Sequence, residues 1–169
     1  IEDNKIKDIN LSANFDRDNY ISFDVKTKDN GEKVTKLFSS KAKPLVNRYK
    51  FIKGFNEGYI NFLSTKHHGK SISNLKIYDF KLRELPTLTK LLTLASLQGI
   101  ADLLTGEGIR FDEFEMKFNN NENVITIDEI YAIGPAISVL MRGYIEKDKL
   151  ISLRGTLVPA TTINRTISK

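Results

Sequence analysis

The chain has 169 residues, of which 40% are hydrophobic and 28% charged, so it is long enough for one globular domain with a sizeable core. It contains no cysteine, which excludes disulfides and thiolate metal sites. The net charge of +5 suits an anionic partner, but no basic run is interleaved with aromatic residues, so we do not expect nucleic acid as a partner.

No uninterrupted apolar run reaches the roughly 18 residues that a membrane-spanning helix needs. The chain begins with Ile1, and residues 161–169 look like a helix cut short. We therefore expect residues 1–169 to form a single domain excised from the C-terminal part of a larger protein, so the lack of a signal or anchor says nothing about the parent.

The first part of the chain alternates polar and apolar residues, as strands with one buried face do. This pattern predicts strands at 9–16 and 21–26, and a third strand at 32–39 after the turn Asp29-Asn30-Gly31. A short helix is expected near 41–50, with Pro44 in its first turn, and strand character returns at 59–65.

The alternation changes phase twice within extended segments. Leu75 and Ile77 share one phase and Phe80 takes the other, so the change falls at 78–79. A second change falls at 112–113. Such changes are typical of β-bulges, and two of them predict a strongly curved sheet.

Between these segments, the sequence predicts one long apolar helix at about 86–105. Its leucines recur at helical spacing on two adjoining strips: Leu88, Leu91, Leu92, Leu94 and Leu97. Either Thr87 acts as the N-cap or Pro86 occupies the first turn. Gly106 and Gly108 supply the C-terminal stop.

A four-stranded meander is expected after the helix, interrupted at Gly134-Pro135 and ended by Pro159. Gly143 and Gly155 fall in the buried phase of adjacent strands, and we expect the helix to approach the sheet there. The predicted fold is therefore α+β and mostly antiparallel β: a strongly curved, taco-like sheet with the long helix packed on its concave face.

Catalytic motifs do not rise above background. The sequence lacks a P-loop, a dinucleotide-binding glycine fingerprint, a nucleophile elbow and an H-E-x-x-H motif. His67 and His68 are the only histidines, and adjacent strand residues point to opposite faces, which makes them a poor metal pair. We expect no catalytic residues, no metal and no cofactor, and therefore no enzyme.

Several motifs in the second half of the chain do match a known pattern. A leucine-rich helix at 91–104 is followed by G-x-G-I-x-F-D at 106–112, G-P-A at 134–136, and a close variant of L-x-L-x-G-T-L-x-P-A at 150–160. These motifs resemble the C-terminal region of the AsmA-like family, closest to its YhdP branch. The likeness covers about half of the chain well, 45–64 more loosely, and the first forty residues only by pattern.

This resemblance implies a β-groove domain in a protein that is anchored in the inner membrane and extends through the periplasm. Such proteins are thought to carry phospholipid towards the outer membrane and to support its integrity. The matching glycines and prolines would be architectural: Gly106, Gly108, Gly134, Pro135, Gly143, Gly155 and Pro159.

Two functions stay open at this point. In the first, the domain conducts phospholipid along an apolar surface lined by the five helix leucines together with Phe111, Phe114 and Met116. In the second, the helix plugs the end of the sheet, and the domain is a capping or docking module for an outer-membrane or periplasmic protein. Packed helix leucines favour the second, and leucines lining an open trench favour the first.

Overall fold

A computed structural model describes residues 7–48, 54–94, 96–146 and 150–160, apart from the side chains of Thr87 and Leu91. They form a nine-stranded sheet whose strands lie side by side in sequence order. The strands are β1 (Asp8–Asn14), β2 (Tyr20–Thr27), β3 (Lys33–Ser39), β4 (Asn56–His67), β5 (Lys70–Leu82), β6 (Ile109–Asn121), β7 (Val124–Ile133), β8 (Ile137–Glu146) and β9 (Leu150–Pro159). The helices are α1 (Lys43–Val46), α2 (Pro86–Leu94) and α3 (Gln98–Thr105).

The order of the strands follows from their short connections. Neighbouring strands pair antiparallel throughout, because a tight turn can only return the chain beside the strand it has just left. Gly31 and Gly69 adopt φ values of 81° and 79° in two of these turns. The β3–β4 and β5–β6 connections are longer, and they carry the helices.

The predicted fold class is wrong. The structure is nearly all antiparallel sheet, with 63% strand and 14% helix, and the sheet is open and uncurled rather than taco-like. The helix predicted near 41–50 is only α1, and residues 49–50 lie outside the described part of the chain. The single long helix predicted at about 86–105 is replaced by two short helices.

The break between α2 and α3 is a helix C-cap that lacks glycine. The N–H of Ser96 donates to the carbonyl of Thr93 at 3.0 Å, and the N–H of Leu97 donates to the carbonyl of Leu92 at 2.8 Å. This pair of bonds defines a Schellman motif, whose left-handed position usually belongs to glycine. Ser96 occupies that position with φ 59°. The leucine period continues through the break, so the pattern alone gave no sign of it.

The two phase changes are present, but they do not curl the sheet. Tyr78 pairs with Glu113, and Phe80 pairs with Phe111, so the changes in β5 and β6 lie directly opposite each other. A β-bulge bends a sheet because one strand contains a residue more than its partner. Here both strands change phase together, and the register is the same on either side.

The core lies between the helices and one end of the apolar sheet face. Leu92 and Leu104 are fully buried there, within one cluster that includes Phe55, Phe80 and Phe111. The ring of Phe80 stacks on those of Phe55 and Phe111, with centroid distances of 5.3 and 5.4 Å. These aromatic contacts add to the stability from burial, and they join β5 and β6 to the segment that precedes β4.

The contact strip predicted between the helix and Gly143 or Gly155 is not what surrounds these glycines. A Cβ atom added to Gly143 would lie 1.9 Å from the carbonyl oxygen of Ser152. One added to Gly155 would lie 2.1 Å from the carbonyl oxygen of Leu140. In both cases the three nearest neighbours belong to the adjacent strand, so the glycines allow close β8–β9 pairing.

We therefore expect Gly143→Ala to lower the melting temperature, because the added methyl group overpacks the strand pair at a cost of about 1–3 kcal/mol. Gly99→Ala is the matched control: its added methyl group meets nothing within 4 Å, and it lies inside α3. Alanine there should raise stability by up to about 1 kcal/mol. Thermal melts in which the two variants behave alike would contradict the proposed close approach.

The β1–β2 turn is tied to the end of β3 through Asp16. Its carboxylate accepts hydrogen bonds from Lys41 Nζ at 2.5 Å, Asn19 Nδ2 at 2.6 Å and the N–H of Asp18 at 3.1 Å. The hydrogen bond from Lys41, followed by that from Asn19, lowers the pKa of Asp16 from 3.8 to about 2. These bonds favour the ionised carboxylate in the folded chain.

The lowered pKa makes this contribution to stability depend on pH. It is complete above the ordinary pKa of 3.8 and is lost as the pH falls through the folded value of about 2. Asp16→Asn should therefore melt below wild type at pH 6, and the difference should vanish near pH 2. Lys41→Ala should reduce the same pH dependence. A difference for Asp16→Asn that stays constant down to pH 2 would contradict this assignment.

Candidate functional site

The sheet has one polar and one apolar face, because alternate residues of each strand point to opposite sides. The register places one apolar position from every strand in a single line across the sheet. We call this line the apolar row, and it consists of Leu11, Phe23, Leu37, Phe62, Leu75, Met116, Ile130, Met141 and Gly155. With strands about 4.8 Å apart, the row is roughly 38 Å long.

The helices cover only one side of the apolar row. The sheet residues of the buried cluster, including Ile77, Ala132 and Val139, lie on the side of the row nearer α2 and α3. Most side chains of the row itself stay half-buried, and Leu11 at the β1 edge is 60% exposed. Beyond the row, Ile151 and Leu153 in β9 are 66% and 43% exposed. A band of apolar surface thus runs beside the helices without being covered by them.

The structure divides the lipid-binding residues predicted from sequence. Leu92 and Phe111 belong to the buried core, and the partly buried side chains of Leu88, Leu97 and Phe114 pack against it. Leu94 is 75% exposed, and Met116 belongs to the apolar row. The side chain of Leu91 lies outside the described part of the chain.

Sequence reasoning missed most of the apolar row because it concentrated on the helix. Phe23 and Leu37, for example, were assigned only to strands. The sequence does contain a signal for the row: each strand has apolar residues at alternate positions, and these positions can be matched from one strand to the next through the hairpins. Applying it requires each register to be known, and a slip of one residue moves a strand's apolar set to the other face.

The remaining predicted residues have architectural positions. Gly106 is the C-cap of α3, and the N–H of Gly108, at φ 93°, donates to the carbonyl of Leu103 at 2.7 Å. An added Cβ on Gly134 would lie 2.2 Å from the carbonyl oxygen of Arg110. Pro135 lies in the β7–β8 connection, and Pro159 ends β9.

The polar face carries a chain of ion pairs across β5, β6 and β7. Lys76 Nζ lies 3.5 Å from Glu115, and Lys117 Nζ lies 3.8 Å from Glu115 and 3.2 Å from Glu129. Burial alone would raise the pKa of Glu115, but the hydrogen bond from Asn74 and the charges of Lys76 and Lys117 outweigh it and lower that pKa. The cations of this strip therefore already have anionic partners.

The described residues hold no group of three or more His, Asp or Glu side chains arranged for a metal. The prediction that His67 and His68 point apart is wrong: their ring centroids lie 3.9 Å apart, because His68 adopts φ 46° in the β4–β5 turn.

None of the helices in the described segments has the length and apolar character to cross a membrane.

Comparison with known proteins gives no match, whether to a family model, a curated protein or a solved structure.

The division of the helix leucines can be tested directly. Leu92 is fully buried and Leu94 is 75% exposed, although both lie in α2. Leu92→Ala should lower the free energy of unfolding by about 2–5 kcal/mol, because it leaves a cavity in the core. Leu94→Ala should change it by less than about 0.5 kcal/mol. Urea unfolding that gives similar losses for both would mean that the orientation of α2 is wrong.

Proposed function

We propose that the apolar row binds the acyl chains of phospholipid, and that the chain is a non-catalytic lipid-transfer domain of the kind its resemblance to the AsmA-like family implies. In this proposal it works in the periplasm, within a parent protein anchored in the inner membrane, and contributes to lipid transport and outer-membrane integrity. The observation that carries the proposal is the apolar row, which crosses every strand and is only partly covered.

Acyl chains suit this surface because they need apolar contact and no directional bonds. Each methylene group removed from water contributes about 0.8 kcal/mol. The row offers one side chain from each of the first eight strands and begins at the exposed Leu11 at the β1 edge. An acyl chain lying along it would make similar contacts at each position, which is the property that movement along a surface requires.

The helices act as a wall in this proposal rather than as the lipid-binding surface. Leu92 is fully buried and Leu97 packs against the same core, so neither is free to contact a lipid without opening the core. The helices α2 and α3 cover one side of the apolar row, and in this proposal lipid covers the other side.

A pair of lysines on the same face supports an anionic headgroup. Lys33 and Lys66 pair directly opposite each other in β3 and β4, and both are exposed. They share the phase of Leu37 and Phe62, so they project from the apolar side near the hairpin ends. Like charges directly opposite destabilise a sheet. A lipid phosphate between them would remove that repulsion.

We expect Met116→Asp to weaken binding of a fluorescent phosphatidylglycerol by at least about tenfold, because it places a charge within the acyl-chain site. Leu11→Asp provides a second variant at an exposed edge position, where the fold should tolerate the change. Leu140→Asp is the matched control, because Leu140 is 51% exposed on the polar face.

Titration of each purified variant with the labelled lipid, alongside native mass spectrometry of the domain isolated from bacterial membranes, measures the effect. The proposal fails if wild type takes up no phospholipid, or if folded Met116→Asp and Leu11→Asp bind it as well as Leu140→Asp does.

The packing of Leu92 and Leu97 favours a second candidate, a capping or docking module without lipid of its own. In that case the exposed Leu94 on the outer side of α2 is a natural contact for an outer-membrane or periplasmic protein. A photo-crosslinking residue at position 94 should then join the domain to one envelope protein, while the purified domain takes up no labelled lipid. Lipid uptake that depends on Met116 excludes this candidate as the whole function.

A further inference from the structure

The polar face carries a line of aromatic rings that the lipid proposal does not use. Four rings from β2, β3, β4 and β5 follow one another across the strands: Tyr20, Phe38, Tyr59 and Tyr78. Successive ring centroids lie 5.1, 6.5 and 4.9 Å apart, and the last pair is stacked with an interplanar angle of 18°. We call these four residues the aromatic ladder.

Cross-strand aromatic pairs stabilise sheets. Rings that serve only this purpose would gain most from being covered by other side chains. Tyr20 remains 46% exposed and Tyr59 36% exposed. Rings held in a fixed line on a water-facing sheet offer apolar surface to a ligand through their edges and through the faces that do not stack on a neighbour. They also have little conformational entropy left to lose on binding.

A shallow cavity of about 410 Å³ lies beside the aromatic ladder. It shares Phe38 with the ladder, and its polar lining includes Asp24, Lys36, Asn61 and Asn74. The two amides can donate and accept hydrogen bonds, the Asp24 carboxylate accepts them, and the Lys36 ammonium donates them. The site therefore combines flat rings with polar groups of both types.

Asn74 has an unused acceptor at this place. Its Nδ2 donates to Glu115 Oε1 at 2.8 Å, which fixes the orientation of the amide. Its Oδ1 is buried and receives no hydrogen bond from any residue in the described segments. A buried acceptor without a donor destabilises the folded state. Because this oxygen has almost no accessible surface, a ligand hydroxyl would reach it only after the side chains that cover it move.

The charges beside the aromatic ladder argue against a polyphosphate ligand. Lys76 lies 3.5 Å from Glu115 and 4.0 Å from Glu113, and Arg110 lies 2.7 Å from Glu57. Nucleic-acid binding depends on cations that are free to neutralise phosphates. A phosphate bound at Lys76 or Arg110 would have to displace a carboxylate, whereas a neutral ligand would not.

We propose that the aromatic ladder and its cavity bind a neutral oligosaccharide. The apolar C–H faces of the sugar rings stack on Phe38 and Tyr59, and the sugar hydroxyls hydrogen-bond with Asn61 and Asn74. This site goes beyond the lipid-binding function and lies on the opposite face of the sheet from the apolar row. The domain can therefore hold a glycan and a lipid at the same time.

Calorimetric titration with chitohexaose and with cellohexaose tests the proposal. Wild type should bind at least one of them, and Tyr59→Ala should weaken that binding about tenfold, as expected for the loss of one stacked ring. Tyr59→Phe should retain it, because the ring remains. Tyr144→Ala is the matched control: Tyr144 is 38% exposed on the same face but lies outside the ladder.

Tyr20→Ala, at the other end of the ladder, serves as a second test if Tyr59→Ala does not fold. The proposal is overturned if wild type binds neither hexasaccharide, or if Tyr59→Ala and Tyr20→Ala bind as wild type does. An oligothymidylate that binds in a Tyr59-dependent manner, in place of both sugars, would assign the ladder to single-stranded nucleic acid and overturn it as well. Met116→Asp should leave sugar binding unchanged, so the test is independent of lipid binding.

Discussion

Everything in this molecule depends on the hydrogen-bond register of nine antiparallel strands in sequence order. Because side chains alternate, each correct pairing places one apolar residue beside the next, and the series of pairings produces the apolar row. The same register aligns the aromatic ladder on the opposite face. A slip of one residue between any two strands would divide the apolar row there, and a slip between β2 and β5 would divide the aromatic ladder as well.

The helices are secondary to the sheet in this arrangement. They close one end of the apolar face through the fully buried Leu92 and Leu104 and the stacked rings of Phe55, Phe80 and Phe111. Since α2 and α3 together are too short to extend over the whole face, the rest of the apolar side depends on its own neighbouring side chains. Val25 and Ile127 are buried in this way without belonging to the core cluster. Stability and candidate function thus occupy adjoining parts of one face.

Phase changes in this sheet have two different consequences. The paired phase changes at 78–79 and 112–113 preserve the register, so the sheet stays open. In β7, by contrast, the pairing shifts by one residue near Asp128, and the adjoining pairs with both β6 and β8 change with it. This bulge lets Ile127 and Ile130 face the same side, and it thereby keeps the apolar face continuous between β6 and β8.

By itself the sequence determined the positions of the strands and turns, because alternation of polar and apolar residues and the glycine and proline turn signals are local properties. It also determined the outer limits of the helical segment, Pro86 and Gly106. Only the tertiary structure decided that this segment breaks at Ser96, since a left-handed serine is retained only where Leu97 and Leu92 pack into a common core. It alone decided that the two phase changes oppose each other, and that Gly143 and Gly155 contact a strand rather than a helix. The phase changes and the glycine contacts depend on how neighbouring strands pair, and the break at Ser96 depends on how Leu92 and Leu97 pack in the core, so the periodicity of the sequence does not reveal them.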